Sequence, residues 1–185
     1  MAAGSVSASS VIGVTLTAND ATAVFPPGTI VNLNDGGQAM YVKASTSALS
    51  TYAAVSIGQN GIATMLTTTN GGASPRVGFA QTSIATSNYG WVQLGGQFLV
   101  NVAAQCASSV PLFTTSTAGV LDDATVTAGY VMGLVSQQSI SNATAVTALG
   151  SAQVHVGRYG GAVVEGQSQC RCQCGAVGGG AFGAG

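Results

Sequence analysis

Residues 89–102 read "YGWVQLGGQFLVNV", and what they form decides the fold. Apolar and polar residues alternate on either side of Gly95-Gly96, the period of a strand rather than a helix. With the two glycines as a hairpin turn, Trp91 is expected opposite Val100, Gln93 opposite Phe98 and Tyr89 opposite Val102. One face then carries Tyr89, Trp91, Phe98, Val100 and Val102, enough aromatic area to anchor a core. The other face, with Gly90, Val92, Leu94, Leu99 and Asn101, is also largely apolar. Both faces are therefore expected to be covered, as in a barrel, a sandwich or a subunit contact.

Similar signals flank this stretch. Asp35-Gly36 suits a two-residue type I′ turn that places Val31 opposite Met40 and Ile30 opposite Tyr41. Asn60-Gly61 suits a second such turn, pairing Ile57 with Thr64 and Val55 with Leu66. "VIGVTLT" at 11–17 and "RVGFAQTSI" at 76–84 read as strands, and "TTTNGGASP" between 67 and 75 as an exposed loop. "STAG" turns between "LFTT" and "VLDD", "GYVMGLVSQ" is a further strand, and "ATAVTAL" with "AQVHVGRY" forms a last pair of strands. Strand signals every eight to twelve residues or so, without a convincing helix, predict an all-β fold. The expected architecture is an antiparallel β-barrel or β-sandwich built from hairpins. It divides into an N-terminal arm at 1–10, a β domain at 11–159 and a Cys/Gly-rich C-terminal arm at 160–185.

Only 5% of the 185 residues are charged, against roughly 25% in ordinary globular proteins. Helices with solvated outer faces cannot be built from such a composition, whereas Thr, Val, Ser and Gly suit strands and turns. The net charge of −1 and the scattered Lys43, Arg76, Arg158 and Arg171 argue against nucleic acid, which needs clustered cations. No apolar run approaches the length of a membrane span. "MAAGSVSASS" has no basic start and no apolar stretch, so it does not read as a secretory signal. Solubility normally comes from charge, so a surface this neutral is expected to be covered in an assembly.

The chain offers little for catalysis. His155 sits between Val154 and Val156, a half-exposed strand position without partners in its own segment. Asp122-Asp123 reads as a solvated turn with an Asx cap rather than a calcium site, which recruits several oxygens at fixed spacing. Neither Gly95-Gly96 nor "GGGAFGAG" leads into the helix a phosphate loop requires. Trp91 and the tyrosines fit a core better than a stacking platform, and Cys106 reads as a small buried hydrophobe. No catalytic residue, metal or cofactor is expected.

The C-terminal "QCRCQC" places Cys170, Cys172 and Cys174 at alternate positions. On an extended segment they share a face at ~6.6–6.8 Å, the upper limit for a disulfide between neighbours. A soft-metal thiolate site, interchain disulfides and inert thiols all stay open. With Phe182 and the surrounding glycines, they form an expected interaction arm.

The succession "NLNDGGQAMYVKASTSALSTYAAVSI", "VGFAQTSIATSNYGWVQLGG", "LFTTSTAGVLDD" and "AGYVMGLV" resembles the head decoration, or cement, proteins of tailed phages. The resemblance spans about residues 25–136. It implies a β-barrel or β-sandwich on the capsid exterior, made in the host cytoplasm and stabilising capsomer contacts. Its implied partners are the major capsid protein and copies of itself, a trimer being favoured. It implies no catalytic residues, and the "CRCQC" tail departs from it. A phage fibre or receptor-binding module is the alternative. A polysaccharide hydrolase would need paired carboxylates, for which Asp122, Asp123 and Glu165 are the candidates.

Overall fold

A computed structural model describes residues 15–71, 76–124 and 129–157, with the side chains of 151–155 and 157 excepted. The N-terminal arm, most of the 11–17 strand and the C-terminal arm with Cys170, Cys172, Cys174 and Phe182 lie outside these residues. The fold is all-β, as expected. Among the described residues, ten strands run in the order β1 (Ile30–Asn32), β2 (Gln38–Ala44), β3 (Ala54–Ile57), β4 (Ile62–Met65), β5 (Arg76–Ala80), β6 (Tyr89–Val102), β7 (Pro111–Thr114), β8 (Leu121–Asp122), β9 (Tyr130–Ser136) and β10 (Thr144–Gly157). One helical turn, α1 (Thr68–Gly71), interrupts the loop expected at 67–75. Its entry is held reciprocally, Thr67 N–H donating to Asn70 Oδ1 and Asn70 N–H to Thr67 Oγ1.

The 89–102 stretch is not a hairpin. β6 is one continuous strand of 14 residues, and Gly95-Gly96 lies in its middle. Gly96 takes φ +91°, a conformation that only glycine adopts freely. A bulge at this point shifts the register, Gln38 pairing with Gly95 but Ala39 with Gln93. The glycines therefore redirect the strand instead of reversing it. A Cβ at Gly96 would also lie 2.9 Å from Gly37 Cα, so the crossing backbones leave no room for one.

That redirected strand is shared by two closed rings. Its first half pairs with β2 and β5, and β2–β4–β3–β5–β6 closes into a five-stranded barrel. Its second half pairs with β10, and Val102 pairs with Leu121, so β6–β10–β9–β7–β8 closes as well. β10 is also one long strand where two were expected, with a register shift between Gly150 and His155 in its pairing to β9. Between its β5 and β8 contacts, the β6 edge is satisfied by other groups. Leu99 exchanges two hydrogen bonds with the Gln81 side-chain amide, at 3.1 and 3.2 Å. Asn101 N–H donates to Tyr52 O.

Both faces of β6 are covered in its first half, whereas in its second half one face is buried and the other, with Gln97, Leu99 and Asn101, stays partly exposed. Val92 and Leu94 fill the first barrel with Met40, Val42, Val55, Ile57 and Ile84. Phe98, Val100 and Val102 enter a second core with Leu112, Leu121, Val131, Leu134 and Val146, which also takes in Val77 and Phe79 from β5. Trp91 and Tyr41 face outward from the first barrel and are covered by Leu16, Val31, Leu33 and Phe25.

Both predicted hairpins exist, each shifted by one residue. The observed pairs are Ile30–Met40, Val31–Ala39 and Asn32–Gln38 in one. In the other they are Val55–Met65, Ser56–Thr64 and Ile57–Ala63. A type I′ turn needs positive φ at both central residues, but here Gly36 and Gly61 have it while Asp35 and Asn60 do not. Each loop holds three residues, with Gly36 N–H donating to Leu33 O and Gly61 N–H to Gly58 O. A slip of one residue exchanges the faces of a strand. Val31 is accordingly buried beside Tyr41 and Trp91, and Ile30 is left exposed. Of the expected 11–17 strand, the described Thr15–Thr17 form no strand.

Candidate assembly surfaces

Reactive side chains among the described residues are dispersed or sealed. Among the described residues, no three of His, Cys, Asp and Glu come together as a metal set would require. His155 pairs with Met132 across β10 and β9, through the backbone. Asp122 lies in β8. Asp123 reaches beyond its own turn: its Oδ2 accepts a 2.8 Å hydrogen bond from Ala107 N–H. It thereby pins the loop that carries Cys106. Cys106 itself is fully buried in the second core, as expected of a small hydrophobe. Burial first, then the Asp123 and Asp122 carboxylates, push its thiol up to about 11.

The aromatic residues around Trp91 are structural. Trp91 and Tyr41 are buried, with ring centroids 5.0 Å apart, and Phe25 meets both edge-on. Tyr41 OH donates to Asp20 Oδ2 at 2.8 Å and accepts from Val24 N–H. Burial raises the Tyr41 pKa, and the Asp20 hydrogen bond and charge add to that rise. Asp20 exchanges backbone hydrogen bonds with Tyr89 in both directions. Together these contacts strap residues 16–33 across the outside of the first barrel. Lys43 spends its charge locally, with Nζ 5.5 Å from the Tyr89 ring centroid.

Among the described residues, exposed apolar side chains fall in two regions. The first is on the first barrel, where Val24 is 64% exposed and Ile30 and Ile62 each 44%. Exposed Pro26 and Pro27 belong to it. Gly61 joins the pieces: a Cβ there would lie 2.8 Å from Pro27 Cβ, so the β3–β4 loop rests directly on the proline turn.

The second patch runs across three strands of the second barrel. Leu149 of β10 pairs with Val135 of β9, and Val135 pairs in turn with Pro111 of β7. Residues directly opposite in an antiparallel pair share a face, so the three form an outer ladder. Leu149 is 52% exposed, Val135 45% and nearby Met132 40%. Gly133, at φ +79°, lies between Met132 and Val135, and both side chains remain outward. Strands β6, β7, β9 and β10 contain no Asp, Glu, Lys or Arg. The sequence hinted at this through its charge depletion, but the ladder itself depends on long-range register.

No helix among the described residues is long and apolar enough to cross a membrane. No family model and no curated protein matches the chain. Among solved structures, the N base of the head fibre gp8.5 of bacteriophage phi29 is similar at 12% identity and a TM-score of 0.45, covering 68% of this chain and 98% of that one. A likeness of that size decides nothing about what this chain does.

Proposed function

We propose that the chain is a structural protein of a tailed-phage virion. It acts as a decoration or cement protein that docks on the head exterior and holds neighbouring capsomers together. The observation that carries this reading is the exposure of the apolar Val24, Ile30 and Ile62 on a body with so few charges. Completing the burial of a half-exposed Val or Ile contributes roughly 1 kcal/mol. Such contacts are weak singly but reinforce one another when many copies sit on one lattice. The major capsid protein is the proposed partner, and a homo-oligomer, with a trimer favoured, the docking form. The resemblance of residues 25–136 to decoration proteins supports the same reading, and no catalytic step belongs to it.

The test is add-back to heads assembled without this protein. Purified chain should bind at a stoichiometry that matches the capsomers and restore heat and low-salt stability. A Val24→Asp, Ile62→Asp variant with unchanged circular dichroism should fail to bind. Stability unchanged by the addition would sink the cement role. Binding at a few positions per particle would point instead to a fibre or receptor-binding module.

A further inference from the structure

β10 ends at Gly157, paired with Tyr130, only two residues beyond the His155–Met132 pair. An extended chain advances ~3.3 Å per residue, so about eight residues suffice to run back from Gly157 to the level of Leu149. Residues 158–185 have the chemistry for an apolar, uncharged ladder: Val163, Val164, Val177 and Phe182 among Gly and Ala, with Arg158, Glu165 and Arg171 their charged residues. A segment tethered this closely has an effective concentration on the order of millimolar. A second copy in dilute solution cannot match that.

We propose that in the dispersed chain the outer ladder of Leu149, Val135, Pro111 and Met132 is the docking site of the chain's own C-terminal segment. The segment shields apolar surface that would otherwise drive indiscriminate association. This inference concerns the second barrel and stands apart from the virion reading, which rests on the exposed apolar side chains of the first.

Trypsin reads it directly, because Arg171 lies within the segment. Under reducing conditions, cleavage after Arg171 in the full chain should be at least ~10-fold slower than in a synthetic peptide of residues 158–185, as for a site cut only after local opening. Val135→Asp with Leu149→Asp should bring the rate up to that of the peptide, and the milder Leu149→Ser should lie between. Val24→Asp, on the other patch, should change nothing. All substituted positions are exposed, and circular dichroism checks that the fold is kept. Cleavage of the unaltered chain at the peptide's rate would overturn the proposal, as would protection that survives both ladder substitutions. Protection that rises with protein concentration would overturn it too, since the occupant would then be a second copy's segment.

Discussion

Cys106 shows how one buried residue makes the stability of this protein depend on pH. Its thiol is raised from an ordinary 9.0 to about 11, chiefly by burial and then by Asp123 and Asp122. A raised folded-state value means that the native state holds the proton more tightly than the unfolded chain does. The stabilisation is therefore complete below about pH 9 and is lost as the pH rises through 11. Two pKa units correspond to roughly 2–3 kcal/mol. Denaturant unfolding between pH 8.5 and 11 should show this loss, and Cys106→Ala should flatten it by up to that amount. Tyr41, also raised by burial, stays in both proteins, so the difference isolates the thiol. Equal slopes in the two proteins would rule the account out. That Cys106 and Trp91 are buried could be read from their apolar neighbours in sequence. That Asp123 ties down the Cys106 loop could not, because its partner Ala107 lies 16 residues away.

At the scale of elements, the two glycine turns make a controlled pair. Gly36 has φ +80° and open space around a would-be Cβ. Gly61 has φ +68°, but its Cβ would meet Pro27 Cβ at 2.8 Å and Gly28 N at 2.9 Å. Gly36→Ala should therefore cost only the left-handed backbone, about 1–2 kcal/mol. Gly61→Ala adds a steric clash worth roughly 1–3 kcal/mol. Urea midpoints measured at one temperature would check the order, and equal losses would mean that the β3–β4 loop does not rest on the proline turn. Strand positions were legible in the sequence, since period-two alternation is a local property. Turn type was not, because Asp-Gly and Asn-Gly serve both a two-residue I′ turn and a three-residue loop ending in a left-handed glycine. Gly95-Gly96 misleads for the same reason: a glycine pair that allows reversal also allows a bulge. The Leu149–Val135–Pro111 ladder was hidden further, since it exists only through the joint register of three strands.

At the scale of the whole molecule, the question is whether two closed barrels make two folding units. Closure of each ring suggests that they do, but the shared β6 and the shared core argue otherwise. Val77 and Phe79 of the first barrel pack in the same cluster as Phe98, Val100 and Leu134 of the second. Phe79 and Phe98 stack across the join, with centroids 4.1 Å apart and planes 18° from parallel. Removing either ring opens a cavity at the join between the barrels, and a large-to-small change of this kind costs roughly 3–5 kcal/mol. In a 185-residue chain that is a large share of the roughly 5–15 kcal/mol typical of whole domains. Phe98→Ala should thus shift the unfolding of both halves equally, although position 98 pairs only with β10. Trp91 fluorescence reports the first barrel, and hydrogen exchange in β9 reports the second. Coincident midpoints before and after the substitution, with a Phe79–Phe98 coupling of about 0.5–1.5 kcal/mol in a double-mutant cycle, are expected. If β9 opened early while the Trp91 transition stayed in place, the barrels would be separate modules, and β6 would be a linker between them rather than a stave of both.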